Sequence, residues 1–288
     1  VKEPDAPAKA TDHDALLKEL RDRLELCIGA EGDGRKLALD DMKFLAGEQW
    51  DERAKLLRES EGRPCLTINK LPAFVHQVTN DQRQNRPGIK VHAVGDGADE
   101  ETAEVIQGLI RHIEYASNAD IAYDTAVHSA AHMGFGFFRM VTEYCKDDSF
   151  DQEIRVKRIR NAFSVYVDPA SVEVDGSDMR FAILSVEMPK DSFREEYPDA
   201  DLASLEQHGT GDAYRNWISR DMVRLAEYYR IESKPATLIQ LSNGESGWES
   251  DLIELPPGVT ILKKRASQKK IVRWYKCTGT EVLEDADI

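Results

Sequence analysis

At Gly134 the spacing of apolar residues along the chain changes, and that change limits the folds the sequence can adopt more than any other feature. Before it, apolar residues recur about every 3.6 positions; after it, about every second position. A helical first part followed by an antiparallel β second part places the chain in the α+β class. In the first part, Leu16, Leu20, Leu24 and Cys27/Ile28 mark an amphipathic helix, which the glycines at 29, 32 and 34 are expected to break. Leu37, Phe44 and Leu45 carry a second helix toward Trp50. Residues 66–86 predict another, entered through Asn69-Lys-Leu-Pro72, since proline suits a first helical turn. Ile89, Val91 and Ala93 alternate as a short strand. Asp99, Glu100 and Glu101 place negative charge at the start of a helix whose buried stripe is expected to be Val105, Ile106, Leu109, Ile110 and Ile113. A fifth helix runs from about Asn118 to Met133, stopped by Gly134.

In the second part, strands are predicted over 135–144, 153–160, 163–167 and 180–188, with helical pieces near 191–197 and 202–208. A last β-rich part comprises 223–231, 237–241, 259–262, 271–277 and 281–283, with a boundary near Asp221 and a break at Pro256-Pro257-Gly258. The expected divisions are a polar arm and helix over 1–34, disordered as far as Asp14, then 35–220 and 221–288.

The hydrophobic share of 41% suffices to fill a core, and no window approaches the roughly 18 apolar residues of a membrane span. The first ten residues lack the apolar core of a secretory signal, so neither export nor membrane insertion is expected. Cys27, Cys65, Cys145 and Cys277 are far apart and form no C-x-x-C pair, which argues against a zinc cage or a disulfide framework and for a reducing compartment. The formal net charge, 38 minus 53 or -15, opposes nonspecific attraction to phosphates over most of the surface.

Motifs for chemistry are scarce. His128 and His132 stand four apart, the spacing at which two imidazoles can meet one metal. Ser-Ala-Ala lies between them without a zincin's glutamate, no third ligand is placed, and packing is the better account. Gly134-Phe-Gly136 follows a helix and precedes a strand, the reverse of the order a dinucleotide site requires. Asp147-Asp148 and Glu195-Glu196 fall in turns or on exposed helix faces, and no G-x-x-x-x-G-K-[ST] occurs. The expectation is a protein that is not an enzyme and has no catalytic residue, metal or cofactor. One charge run stands apart: Lys263, Lys264, Arg265, Lys269, Lys270, Arg273 and Lys276, with Trp274 and Tyr275 interleaved and no acidic residue. Two readings stay open for it. It is an interface for phosphate or an acidic partner, or a solvated strand pair whose lysines prevent edge aggregation.

Arg63-Pro-Cys-Leu-Thr-Ile-Asn-Lys-Leu71 and Val78-Thr-Asn-Asp-Gln-Arg-Gln-Asn-Arg-Pro87 resemble the first blocks of phage portal proteins of the short-tailed-phage branch. Ala98 to Ala103, Gly108 to Ile113, Ser117 to Asp120, Ala122 to Ala126, Gly134 to Gly136, Asp148 to Ile154, Asn161 to Tyr166, Asp168-Pro169 and Asp175-Gly-Ser-Asp178 continue that family's pattern in its order. The resemblance covers roughly residues 44–288. It implies a wing over 35–220 and a stem/clip region over 221–288, in a ring of twelve subunits at one capsid vertex of the virion, assembled in the host cytoplasm. Such a ring nucleates head assembly with the major capsid protein and scaffold, docks the terminase, receives tail or head-completion proteins, and passes double-stranded DNA. The seven basic residues would then lie in or beside the clip. Portal subunits of this branch are longer than this chain, so the second stem segment, channel loop and C-terminal crown are expected to lie outside it, and Pro256-Pro257-Gly258 stands where relatives run a short helix. The competing readings are a phage nuclease with a carboxylate metal site and an adaptor that binds a portal without forming the ring.

Overall fold

The computed structural model describes residues 6–86, 88–94, 99–146, 148–173, 175–200, 221–242, 244, 246–251 and 258–287. They form six α-helices and eight strands, and all strand pairs are antiparallel. The chain divides into two compact units: Val1–Ala30 with Ser164–Ile288, and Glu31–Phe163. The N-terminal residues join the first unit through side-chain packing of the first helix on the sheet.

The first unit is built on a six-stranded sheet. Its order is β3 (Val165–Val167), β4 (Phe181–Pro189), β5 (Met222–Leu241), β7 (Ile261–Cys277), β8 (Val282–Asp287), with β6 (Ser246–Trp248) on the far part of β5. The N-terminal part of α1 (Ala6–Ala46) packs Leu16, Leu17, Leu20, Leu24 and Cys27 into one cluster with Phe181, Ile183, Val223, Leu225, Tyr228 and Tyr275. Phe193 of α6 (Lys190–Glu196) enters the same cluster and is 1% exposed. Tyr228 and Tyr275 are direct register partners and stack with ring centroids 6.2 Å apart. The Tyr228 hydroxyl donates to Glu19 at 3.0 Å, and Glu19 also accepts from Arg230 at 2.6 Å, so the buried hydroxyl is satisfied.

The second unit holds the rest of α1, then α2 (Glu52–Ser60), α3 (Leu71–Gln84), α4 (Glu100–Ser117), α5 (Ala119–Met133) and the hairpin β1 (Phe138–Tyr144) with β2 (Gln152–Arg158). Asp99 caps α4 by accepting from the amides of Glu101 and Thr102, and those hydrogen bonds hold its carboxyl below the usual range. Gly134 ends α5 in the left-handed region with φ 85°. The buried cluster here is small: Ala119, Ala122 and Val156, with Ile113 and Tyr123 beside them.

Several expectations need correction. The glycines at 29, 32 and 34 do not break the helix, and α1 runs unbroken for 41 residues. A helical glycine costs about 1 kcal/mol relative to alanine, which a helix packed through Leu20, Leu24 and Cys27 tolerates. Residues 6–14, expected to be disordered, are helical, while Val1–Asp5 lie outside the described residues. Ile89, Val91 and Ala93 form no strand, since alternation without a partner strand supplies no ladder of hydrogen bonds. The strands expected over 223–231 and 237–241 are one strand, β5. Pro235 lies between the reach of β4, which pairs as far as Arg230, and that of β6, which pairs from Leu238, so its missing N–H faces an open edge. The polar run between 262 and 271 likewise stays in strand as part of β7. The stripe of α4 is not buried as expected, for Val105, Ile106 and Leu109 are exposed. The expected helical piece near 202–208, Asp147, Asn243 and Pro256-Pro257 lie outside the described residues.

Candidate functional site

Beyond Arg230 and Arg273 the sheet narrows to a ribbon of β5 and β7, because β4 and β8 stop pairing there. Eleven residues of β5 continue past that point, on the order of 35 Å of strand. The seven basic residues all lie on β7, and the structure separates them into two groups. Near the base, Arg273 pairs with Asp287 at 2.6 Å and Asp285 at 3.4 Å, and Lys276 pairs with Glu196 at 3.2 Å and Glu284 at 3.4 Å. The hydrogen bond to Tyr275 raises the Arg273 pKa, and burial only partly offsets it. Burial works against the charge of Lys276, but its hydrogen bonds to Tyr197 and Glu196 outweigh that and raise its pKa. Both cations are thus spent within the first unit.

Farther out, the 3-10 turn Glu249–Asp251 supplies acids. Glu249 pairs with Lys264, and Asp251 holds Lys269 at 2.6 and 2.8 Å. Each carboxyl is held below its usual range by the hydrogen bond from its lysine. A groove of about 460 Å³ runs beside this turn, lined by Lys234, Thr237, Glu249, Lys269 and Ile271. Lys263, Arg265 and Lys270 are exposed, and among the described residues no acidic side chain pairs with them. Among the described residues, the basic run seen in the sequence therefore reduces to three uncommitted cations on the outer ribbon.

The other residues singled out in the sequence hold the fold. The rings of His128 and His132 meet edge to face, 3.8 Å between centroids, and burial followed by the charges of His128 and His76 pushes the His132 pKa down. Asp168 is nearly inaccessible and receives Arg180 Nε at 2.7 Å and Nη2 at 3.2 Å, so its carboxyl stays below the usual range. Asp178 accepts from the Ser171 hydroxyl at 2.6 Å and the Val172 amide at 2.7 Å, which ties the same loop. A side chain on Gly136 would stand 1.9 Å from the carbonyl oxygen of Ala126, so the Gly134-Phe-Gly136 motif marks a close backbone approach. Asn69 donates to the Leu45 carbonyl at 2.6 Å and accepts from the Leu71 amide at 3.2 Å. Arg83 and Arg86 on either side of the end of α3 pair with Asp124, and Arg86 also with Asp120.

A second kind of surface was misassigned from sequence. Exposed large apolar side chains are concentrated in the second unit, including Leu56 and Leu57 on α2, Phe74 and Val78 on α3, Val105 and Leu109 on α4, and Met140 on β1. Among the described residues, only Leu26, Ile28, Val172, Val186 and Leu262 of that set belong to the first unit. The signal that could have shown this is volume: the buried residues of the second unit are mostly alanines, too small to cover stripes this wide.

The prominent features of the described residues are thus surfaces, a charged ribbon and broad apolar helix faces. The sequence model of the family described as phage P22-like portal protein matches residues 21–288, so the chain belongs to the P22-like phage portal protein family. It is also similar to the portal protein of Acyrthosiphon pisum secondary endosymbiont phage 1, 25% identical over 238 residues. That match covers 77% of this chain and 32% of the relative, so the chain spans about a third of the relative's length. No described helix is long and apolar enough to cross a membrane.

Proposed function

We propose that this chain is the N-terminal portion of a portal subunit that assembles as a ring of twelve at one capsid vertex of the virion. The observation that carries this reading is the apolar surface of the second unit. Val105 is 71% exposed and Leu109 55%, one helical turn apart on α4, with Phe74 of α3 at 64%. Surfaces of this kind are costly in water and are ordinarily covered by another protein. Membership of the portal family makes a second copy the natural cover. On this reading 35–220 forms the wing, and 221–288 the stem and clip, where the ribbon bears Lys263, Arg265 and Lys270. The ring would nucleate the head with the major capsid protein and scaffold, dock the terminase, later receive tail or head-completion proteins, and pass double-stranded DNA. The net charge of -15 on this portion favours sliding over attachment.

Native mass spectrometry and negative-stain images of the full-length protein test this reading. Closed rings with a central hole are expected, and fewer of them from Val105→Glu/Leu109→Glu. A full-length protein that stays monomeric at high concentration would contradict it.

A further inference from the structure

The outer edge of β7 has no strand partner over residues 261–272 among the described residues, since β8 begins to pair only at Arg273. Such an edge presents a row of free backbone N–H and C=O groups to any extended chain that reaches it. Lys263 and Arg265 stand two residues apart on one face of that edge strand, about 7 Å along it. An incoming strand with acidic residues at every second position would set them directly across from these two cations. The ribbon already accepts carboxylates, because Glu249 sits on Lys264 and Asp251 on Lys269.

From this juxtaposition the geometry points to the β7 edge as a docking strand for an extended acidic segment of a protein partner, while the turn Glu249–Asp251 neutralises the neighbouring Lys264 and Lys269 and so lowers the positive charge that the segment meets. The inference rests on the reading of this region as a docking surface and gives its partner a chemistry. It also joins the two alternatives left open by the sequence. Lysines on an edge repel an apolar or basic strand and accept an acidic one, so protection and recognition are the same device. Duplex DNA fits less well. It cannot pair with the alternating N–H and C=O groups of the edge as a strand does, and the acidic chain repels its long charged surface more than a short peptide.

The test is fluorescence anisotropy on the full-length protein with three probes: a synthetic peptide of about twelve residues, long enough to span the open edge, with aspartate or glutamate at alternate positions; the same peptide N-methylated at alternate backbone nitrogens; and a DNA duplex. The parent peptide is expected to bind at low salt. The triple variant Lys263→Glu/Arg265→Glu/Lys270→Glu and the N-methylated peptide should each weaken binding by about tenfold or more. Glu249→Gln/Asp251→Asn should tighten it several-fold by freeing Lys264 and Lys269. Binding unchanged in the triple variant, an N-methylated peptide that binds like its parent, or a duplex that displaces the peptide would each overturn the proposal. Electron-microscopic images of the same samples separate this idea from the ring: intact rings that ignore the peptide overturn the docking strand alone, and monomers that bind it overturn the ring alone.

Discussion

The two units solve the problem of apolar surface differently. The first buries Leu20, Ile183, Phe193, Val223 and Tyr228 to 1% exposure or less and leaves few large apolar groups in water. The second buries alanines and Val156 while keeping Phe74, Val105, Leu109 and Met140 exposed. The first unit therefore has a filled core of its own, while the second is held by staples and leaves apolar faces exposed, which are the surfaces the proposed ring would cover. Those staples include the Arg83–Asp124 ion pair, the Tyr123–Phe138 edge contact at 5.0 Å and the Val156 amide donating to Ser117 Oγ at 3.0 Å.

The largest effect that would sharpen this contrast is Phe193→Ala. It should cost about 3–5 kcal/mol in chemical denaturation, because a cavity opens in a filled core. A cost under about 1 kcal/mol would mean the first unit is not the rigid one. Val156→Ala, the largest truncation available in the buried cluster of the second unit, should cost less, about 1–2 kcal/mol. Equal costs in the two variants would erase the distinction.

Asp168→Asn should cost about 1–2 kcal/mol near neutral pH, since the buried group loses its charge-assisted bonds to Arg180. The native carboxyl titrates below its unfolded value, so its contribution is present above roughly pH 4 and is lost as pH falls through the native pKa. The variant should approach the wild type as the pH drops from 5 toward 2, and a gap that stays constant would contradict that linkage. The smallest effect on folding should come from Leu109→Glu, within about 0.5 kcal/mol for the isolated chain, because the side chain already faces water. The same change should lower the ring yield, and rings at full yield would remove α4 from the contact.

The period of the apolar residues announced α4, α5 and β4 within a few positions of their limits, because each has a local signal that its environment supports. The sequence misled where tertiary partners decide. Gly29, Gly32 and Gly34 looked like a break, yet α1 is held by packing on its N-terminal side and by Arg35 pairing with Glu31 at 2.7 Å on the other. Residues 263–270 carry no alternation at all and are strand because β5 pairs with them. The nine residues of α2 passed unnoticed, having no buried stripe to read. Of the basic run, the positions were legible, but the acids that engage Arg273 and Lys276 come from β8 and α6, distant in sequence from one or both cations. Pairing of that kind is invisible to spacing. Periodicity does not distinguish a stripe buried within the chain from one left exposed, since both look alike along a helix.

Hydroxyl-radical footprinting of the full-length protein, compared between dilute subunits and assembled particles, tests the central claim most directly. Phe74, Leu109, Tyr115 and Met140 should be labelled in the subunit and protected on assembly, while Phe193 and Tyr228 should be protected in both. Equal labelling of the second unit's side chains before and after assembly would show that its apolar faces are not what holds the copies together.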